Sequence, residues 1–514
     1  MRRLIPSLII LVLWVPVAVS SPFAQAAPSR FRVTLSKDIS SAAVSGRLFL
    51  LMTDSSQPMQ TIEVDFIPGS TWVAAMEIEH FPPAGAVEFD ANRLAFPRPF
   101  SQAKPGAYQI MALLDQNHSY AYRGQDEGDL TSEVVKIENL NSANSSPIEL
   151  ALTRRTPPRF KTSDTETVKL AEFQSPLLSA FWGRAISMRA GVVLPPSYGK
   201  DLNKTYPAIY HVHGFGGDHS AAWRQGPQLV RAMSEGKQME MIHVFLDGSF
   251  PTGHHEFADS ANNGPWGGAL TEEFIPHLEK KFRLISKPHA RFLTGHSSGG
   301  WSTLWLQITY PDFFGGTWST APDPVDLRSF TGIDATPIST DNAYRHRDGR
   351  AKNLVRMDGR EVVTIEEFAR MESVMGEYGG QFASFEWVWS PRGEDGRPMK
   401  LFNRASGELN QATLLAWQKY DIRLILEKNW ATLGPKLKGK INVICGGADT
   451  FHLEEAVIML CEFFKRKGSD AVCEIVPGRD HGNLYESHQS FPEGLSARIY
   501  REMAAKFQSA AKTR

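Results

Sequence analysis

Cysteine is scarce. The 514-residue chain has three, at 445, 461 and 473. So few exclude a disulfide framework, and none has the spacing of a zinc site. Cys461 and Cys473 are near enough in sequence to close a short loop. Cys445, inside the apolar run Ile441-Asn-Val-Ile-Cys-Gly-Gly447, reads as a packed thiol. Neither sign of charge is in excess: 55 Lys and Arg stand against 56 Asp and Glu. That balance provides no long-range attraction to nucleic acid or to an anionic membrane. Long hydrophobic runs are missing after the first twenty or so residues, as are repeats and low-complexity tracts. With 42% apolar and 22% charged residues, what remains is a globular composition with length for several domains.

The one greasy stretch lies at the start. Arg2 and Arg3 precede an apolar run from Leu4 to Val19, and Ala24-Gln-Ala26 follows. A basic start, a short apolar segment and a small-residue cleavage site read as a signal peptide over residues 1–26. Pro6 and Pro16 interrupt the run, which argues against a lasting membrane anchor. The chain is therefore expected to be secreted or periplasmic, without stable membrane insertion after removal of that segment.

From about 30 to 155, short runs rich in β-branched and aromatic residues alternate with turn residues such as Pro68-Gly69 and Pro105-Gly106. The pattern predicts an N-terminal antiparallel β-sandwich of immunoglobulin-like type. Residues 156–180, opening on Pro157-Pro158, read as a linker. From 181 to 510 continuous apolar runs alternate with helical stripes, for example Leu270, Phe274, Ile275 and Leu278, predicting an α/β domain with strands buried on both faces. A stretch at about 324–430 interrupts the alternation and reads as a cap insertion.

The chemistry centres on Gly295-His-Ser297-Ser-Gly299, which follows one apolar run and opens a helical stripe. A serine on a strained strand-to-helix turn needs small residues at both flanks, and the helix N-terminus offers free N–H groups to an oxyanion. Serine is a weak nucleophile unless a base, itself oriented by an acid, takes its proton. The order Ser, acid, His selects Asp449, after the Ile441–Gly447 run, and His481, in the loop after Ala471–Val476. Rivals are Asp480, His452 and His488; His452 reads as a cap on the helix beginning near Leu453. Two oxyanion donors are required. One is the Ser298 N–H; the other is assigned to Phe215, in His213-Gly-Phe-Gly-Gly217, with Gly214 or Gly216 as alternates. His211-x-His213 and His254-His255 lack partner carboxylates or cysteines at metal spacing, so neither a metal nor an organic cofactor is expected.

Several stretches together, VVLPPSY, YPAIYHVHGFGG, Gly264-Pro-Trp266-Gly-Gly, FLTGHSSGGWSTLW, YPDFFGG, GGAD and DHG, carry a resemblance. Residues from about 180 to 505 look like the "Putative esterase" family of α/β-hydrolases. That group includes esterase D, feruloyl and acetylxylan esterases, siderophore esterases and mycolyltransferases. The resemblance implies an α/β-hydrolase fold and a serine esterase acting through an acyl-enzyme on a small-molecule or carbohydrate-linked ester. Acyl transfer to an alcohol and a non-catalytic hydrolase-like binder are the alternatives. The Ser297–Asp449 separation is longer than a minimal member needs, because of the insert. Within the insert Phe385, Trp387 and Trp389 alternate as on one strand face, followed by a hairpin-like stretch to Phe402 and a helix through Trp417 and Tyr420. Trp387 and Trp389, with Trp266, are the candidate substrate-lining residues; the plainer reading makes the insert pair part of the cap's own core.

Overall fold

The computed structural model describes residues 30–64, 68–69, 71–118, 126–140, 147–158 and 162–512; the expected signal peptide lies outside them. The N-terminal strands are β1 (Arg30–Leu35), β2 (Val44–Thr53), β3 (Trp72–Phe81), β4 (Ala86–Asp90), β5 (Ala95–Phe96), β6 (Tyr108–Asp115), β7 (Leu130–Ser132), β8 (Val135–Ile137) and β9 (Ile148–Arg155). They join in one hydrogen-bonded path, β4-β1-β9-β7-β6-β2-β3-β5, with β8 also on β6. The expectation of purely antiparallel pairing is corrected at one place: β1 runs parallel to β9, Phe31 opposite Ile148.

Alternation along β2 decides where this sheet sits. Leu48, Leu50 and Met52 pack with Phe31, Val33, Leu150 and Leu152 in the sheet's own core. Phe49 and Leu51, pointing the other way, share a second core with Phe368, Met371 and Val374 of the later insert. A strand buried on both faces needs apolar residues at every position, which is why Leu48–Met52 shows no polar alternation. Arg47 seals the junction by donating to the Val374 carbonyl at 2.8 and 3.0 Å.

The second sheet follows. Its early elements are β10 (Val168–Gln174), α1 (Pro176–Trp182), β11 (Ser187–Val193), β12 (Ala208–Val212), α2 (Ala221–Ser234) and β13 (Ile242–Leu246). Two short pairs come next, β14 (Ser249–Phe250) with β15 (Gly253–His254) and β16 (Asp259–Ser260) with β17 (Gly264–Pro265). Then come α3 (Trp266–Gly268), α4 (Ile275–Lys281), β18 (Arg291–His296), α5 (Ser298–Thr309) and β19 (Gly316–Thr320). The insert holds β20 (Asn353–Met357), β21 (Arg360–Thr364), α6 (Ile365–Met375), α7 (Gln381–Trp389), α8 (Gln411–Trp417) and α9 (Ile422–Leu437). The chain closes with β22 (Ile441–Gly446), α10 (Leu453–Arg466), β23 (Val472–Val476) and α11 (Leu495–Lys512).

The sheet order is β10-β11-β13-β12-β18-β19-β22-β23. β10 pairs antiparallel with β11 and β11 with β13; the other pairs are parallel. This is the mixed α/β architecture the alternation predicts. Tyr210, Val212, Val244 and Leu293 pack with Leu270, Phe274 and Leu278, whereas Ile209 and Phe292 point into the core shared with Ile499 and Met503 of α11.

Two expectations are corrected. The supposed linker 156–180 contains β10, paired with β11 from Val168 opposite Val193 to Gln174 opposite Ser187. As an edge strand it leaves five of its seven side chains partly or fully exposed, so its composition resembles a linker. In the insert, Phe385, Trp387 and Trp389 lie on α7 and not on a strand. Every residue from Phe382 to Trp389 is buried, so polarity carries no period, and helical spacing (Phe382, Phe385, Trp389) competes with alternation. The insert's paired strands lie instead at 353–364.

Cys461 and Cys473 form a disulfide, Cα atoms 5.4 Å apart, tying α10 to β23 across 12 residues of sequence. Chain entropy gives a loop of this length about 3 kcal/mol. A Cys461→Ser/Cys473→Ser variant is expected to lose roughly that amount in urea unfolding, with its secondary structure unchanged by circular dichroism.

Candidate active site

The site is built on the junction of β18 and α5. Ser297 sits between them at φ +59°, ψ −125°. This costly backbone conformation for a residue with a side chain is sustained by its neighbours. The Ser297 N–H donates to the Thr320 carbonyl at 3.1 Å, and its own carbonyl accepts from Trp301 and Asp323 at 3.0 and 3.2 Å. The flanking glycines are demanded by backbone: a Cβ on Gly295 would lie 2.2 Å from the Gly299 carbonyl oxygen, and one on Gly299 2.0 Å from that of Val212. α5 then runs to Thr309, ahead of Pro311.

The loops after β12, β22 and β23 converge here. His481 Nδ1 lies 2.8 Å from Asp449 Oδ2, and its ring packs on that of His296, centroids 4.4 Å apart. Since His296 immediately precedes Ser297, the imidazole is held against the nucleophile turn. Asp449 is fully buried. Burial works to raise its pKa, but the facing His481 and the Phe451 N–H hold it below the usual carboxylate range. For His481, burial opposes the cation, yet Asp449, with Asp323 and Asp480 adding to it, lifts the imidazole above its ordinary value. Asp480 hydrogen-bonds to Gly482 and Asn483; His452 sits at the N-terminus of α10 without a side-chain capping bond.

The His213–Gly217 loop abuts the serine. A Cβ built on Gly214 would lie 3.2 Å from Ser297 Cβ and 3.8 Å from its Oγ. The Gly217 N–H donates to the Gly214 carbonyl at 3.1 Å, and Gly216 takes φ +75°, a tight turn that puts the Phe215 backbone beside the site. The Gly248 N–H donates to His213 Nε2, so His213 Nδ1 carries the proton and donates to Gly214 O at 2.7 Å. His254 and His255 each accept a backbone N–H at Nδ1 and donate from Nε2 to a backbone carbonyl. Burial depresses both pKa values well below the ordinary one, and their rings serve as fasteners between loops.

Two spaces open near this centre. An open cleft of about 550 Å³ is lined by Phe215, Gly216, Asp218, Arg189 and Trp266, and by Thr156 from the N-terminal part. A small pocket of about 20 Å³, with Asp323 on its wall, is bounded by Phe330, Phe382, Phe385 and Phe451. Phe451 stands edge-on to His481 at 4.9 Å. Trp266 lines the cleft, stacked on His255 at 3.7 Å. Trp387 and Trp389 line neither space. Trp389 is enclosed by Trp301, Phe385 and Trp417 at 4.9–5.0 Å, and Trp387 donates to the Glu377 carbonyl and stacks on Tyr378. Their assignment to the pocket is therefore corrected in favour of Phe382 and Phe385, which lie nearer the start of the same helix.

Sequence reasoning passed over Asp323 and Glu256. Ser297 Oγ donates to Asp323 Oδ1 at 3.3 Å and Ser298 Oγ to Asp323 Oδ2 at 2.6 Å. Among the described residues no hydrogen bond joins Ser297 to His481. Asp323 follows β19, the strand beside the nucleophile strand, and the rule that selected Asp449 at a strand's end also applies to it. Glu256 had no such signal.

Residues 185–368 match the family model described as "Putative esterase". The matched span takes in the Phe215 loop and Ser297 and stops short of Asp449 and His481. An endo-1,4-beta-xylanase/feruloyl esterase of Xylanibacter ruminicola is 27% identical over 146 residues, 26% of this chain and 20% of its own length. The chain thus spans about a fifth of that curated relative. Among solved structures, a ferulic acid esterase is 15% identical over 65% of this chain and 99% of its own, at TM-score 0.41. An S-formylglutathione hydrolase from Agrobacterium tumefaciens is 15% identical over 67% and 93%, at TM-score 0.35.

Removing the Asp449 charge leaves burial opposed only by the smaller contributions of Asp323 and Asp480. Histidine ring NMR titration, with the signal assigned by a His481→Gln variant, is expected to show His481 titrating above 6.5 in the unchanged chain. In Asp449→Asn the same resonance is expected to titrate at lower pH than in the unchanged chain.

Proposed function

We propose that this chain is an exported serine carboxylic-ester hydrolase. Ser297 attacks the ester carbonyl while His481 takes its proton; Asp449 holds the imidazole and balances the imidazolium; the Ser298 and Phe215 N–H groups receive the oxyanion. The imidazolium then protonates the leaving alcohol, and water, deprotonated by His481, releases the acyl group from Ser297. The observation that carries this reading is the 2.8 Å His481–Asp449 contact with the imidazole packed on the nucleophile turn. The carboxylic-ester-hydrolase class is supported by the family match over 185–368.

For export, the basic-apolar start with its Ala24-Gln-Ala26 site and the Cys461–Cys473 disulfide agree with an oxidising compartment. The alcohol part takes the 550 Å³ cleft, whose mixed polar and aromatic lining suits a small-molecule or carbohydrate-linked ester. Loop residues of the N-terminal part, Glu63, Asn117 and Thr156 among them, line one side of that cleft, and we read that part as immunoglobulin-like. The acyl part takes the phenylalanine pocket. At about 20 Å³ it holds little more than a water as it stands, so an acyl group enters only when Phe382 or Phe385 turns aside, and an acetyl group asks for the least movement.

A panel of chromogenic acetyl, butyryl and feruloyl esters tests both levels. Acetyl esters are expected to turn over fastest, and Phe385→Ala is expected to shift preference towards the larger acyl groups. Ser297→Ala is expected to lose on the order of 10⁵-fold or more in kcat, and an organophosphonate is expected to label Ser297. Equal turnover by the Ser297→Ala variant removes the serine from the mechanism.

A further inference from the structure

Two buried carboxyl groups stand under the nucleophile and take no part in the reaction just described. Asp323 is 2% and Glu256 1% exposed. Asp323 accepts from both Ser297 and Ser298, one hydroxyl on each oxygen. Glu256 lies near Ser298 as well. Its Oε2 is 2.7 Å from Ser302 Oγ, and that hydroxyl is also 2.7 Å from the Ser298 carbonyl. Ser302 has one proton. If it is given to the carbonyl one turn back along α5, then Glu256 is the donor to Ser302 and is the protonated acid of the pair.

The backbone that delivers these groups is strained at every arm. Ser297 has φ +59°, Ala321 φ +36° two residues before Asp323, and Glu256 and Phe257 φ +57° and +48°. None is glycine. Such conformations are costly for residues with a side chain and persist only where the surroundings over-determine them. They meet at one cluster.

We propose that Asp323 positions the nucleophile: its carboxyl group aims the hydroxyls of Ser297 and Ser298, and Glu256 near Ser298 keeps the two acids from carrying two negative charges beside the oxyanion. The inference rests on the hydrolytic reading above. In the resting site Ser297 is held on Asp323, and it exchanges that bond for His481 as it attacks. A singly charged pair leaves the developing oxyanion to the Ser298 and Phe215 N–H groups; a doubly charged pair opposes it at short range.

The groups facing the pair are few. Asp323 meets His481, which Asp449 holds from behind; Glu256 meets His254, 3.5 Å from its Oε1, and the field of His213. His254 uses both ring nitrogens on backbone groups and is kept neutral by burial. No fixed cation among the described residues therefore neutralises the pair. Burial pushes both acids up, and for Asp323 the neighbouring Glu256 adds to it. Raising the pH ionises the second carboxyl, and turnover falls.

The test uses the full mature chain carrying Asp323→Ala, Asp323→Asn or Glu256→Gln, with kcat and KM on an aryl acetate followed across pH. Asp323→Ala is expected to lower kcat on the order of 10- to 100-fold while KM stays close to that of the unchanged chain. Asp323→Asn, which keeps an acceptor oxygen for Ser297, is expected to recover most of that loss. Both Asp323→Asn and Glu256→Gln are expected to displace the alkaline fall, in kcat and in the rate at which an organophosphonate labels Ser297. If Asp323→Ala does not fold, the two isosteric variants and the labelling rate carry the test. Unchanged kcat and an unchanged alkaline limb in Asp323→Asn and Glu256→Gln overturn the proposal. A Ser297→Ala control that retains full turnover instead overturns the hydrolytic reading itself, so the two failures are distinguishable.

Discussion

The site depends on a contact between two pieces of backbone. The first turn of α5 is pressed so closely on the ends of β12 and β18 that Gly295 and Gly299 have no room for a methyl group. That approach bends the chain at Ser297 into positive φ, lifts its hydroxyl clear of the sheet and leaves the first N–H groups of α5 pointing at the same space. The carbonyls of Val212 and His213 lie against α5 at this point, so the turn that carries Ser297 and the loop that carries Phe215 are one packed unit. Strain here is offset by the surrounding sheet, whose strands are buried on both faces.

Around that contact the protein handles charge by leaving most of it unformed. His254, His255 and His296 are all held low by burial, and Asp323 and Glu256 are held high for the same reason. The Asp449–His481 pair moves the other way, in the direction of its charged forms, because each supplies what the other lost with water.

The insert and the N-terminal sheet work as a single support. α6 presents Phe368, Met371 and Val374 to the outer face of β2 and β3, and α7 contributes Phe382 and Phe385 to the small pocket. Ser384 on α7 accepts from the His254 N–H and donates to its carbonyl at 2.8 and 3.0 Å, which links the insert to the loop carrying Glu256. The size of the small pocket walled by Asp323 is therefore set by packing that reaches back to the first strands of the chain.

The positive-φ turn at Ser297 and the meeting of Asp449 with His481 beside it were legible in the sequence because each segment obeys a local rule. Glycines flank a serine between an apolar run and a helical stripe, and an acid and a histidine follow later strands in a set chain order. The α/β alternation was legible for the same reason: burial on both faces writes continuous apolar runs. Local pattern misled where burial was uniform, as on α7, or where an edge strand alternated into linker-like composition, as at β10. Only the folded chain decided which residues of α7 meet the pocket and that Cys461 reaches Cys473. It alone placed Asp323 and Glu256 near Ser298. Those facts join segments 12 to more than 100 residues apart, and a one-dimensional pattern records what each segment buries, not what it is buried against.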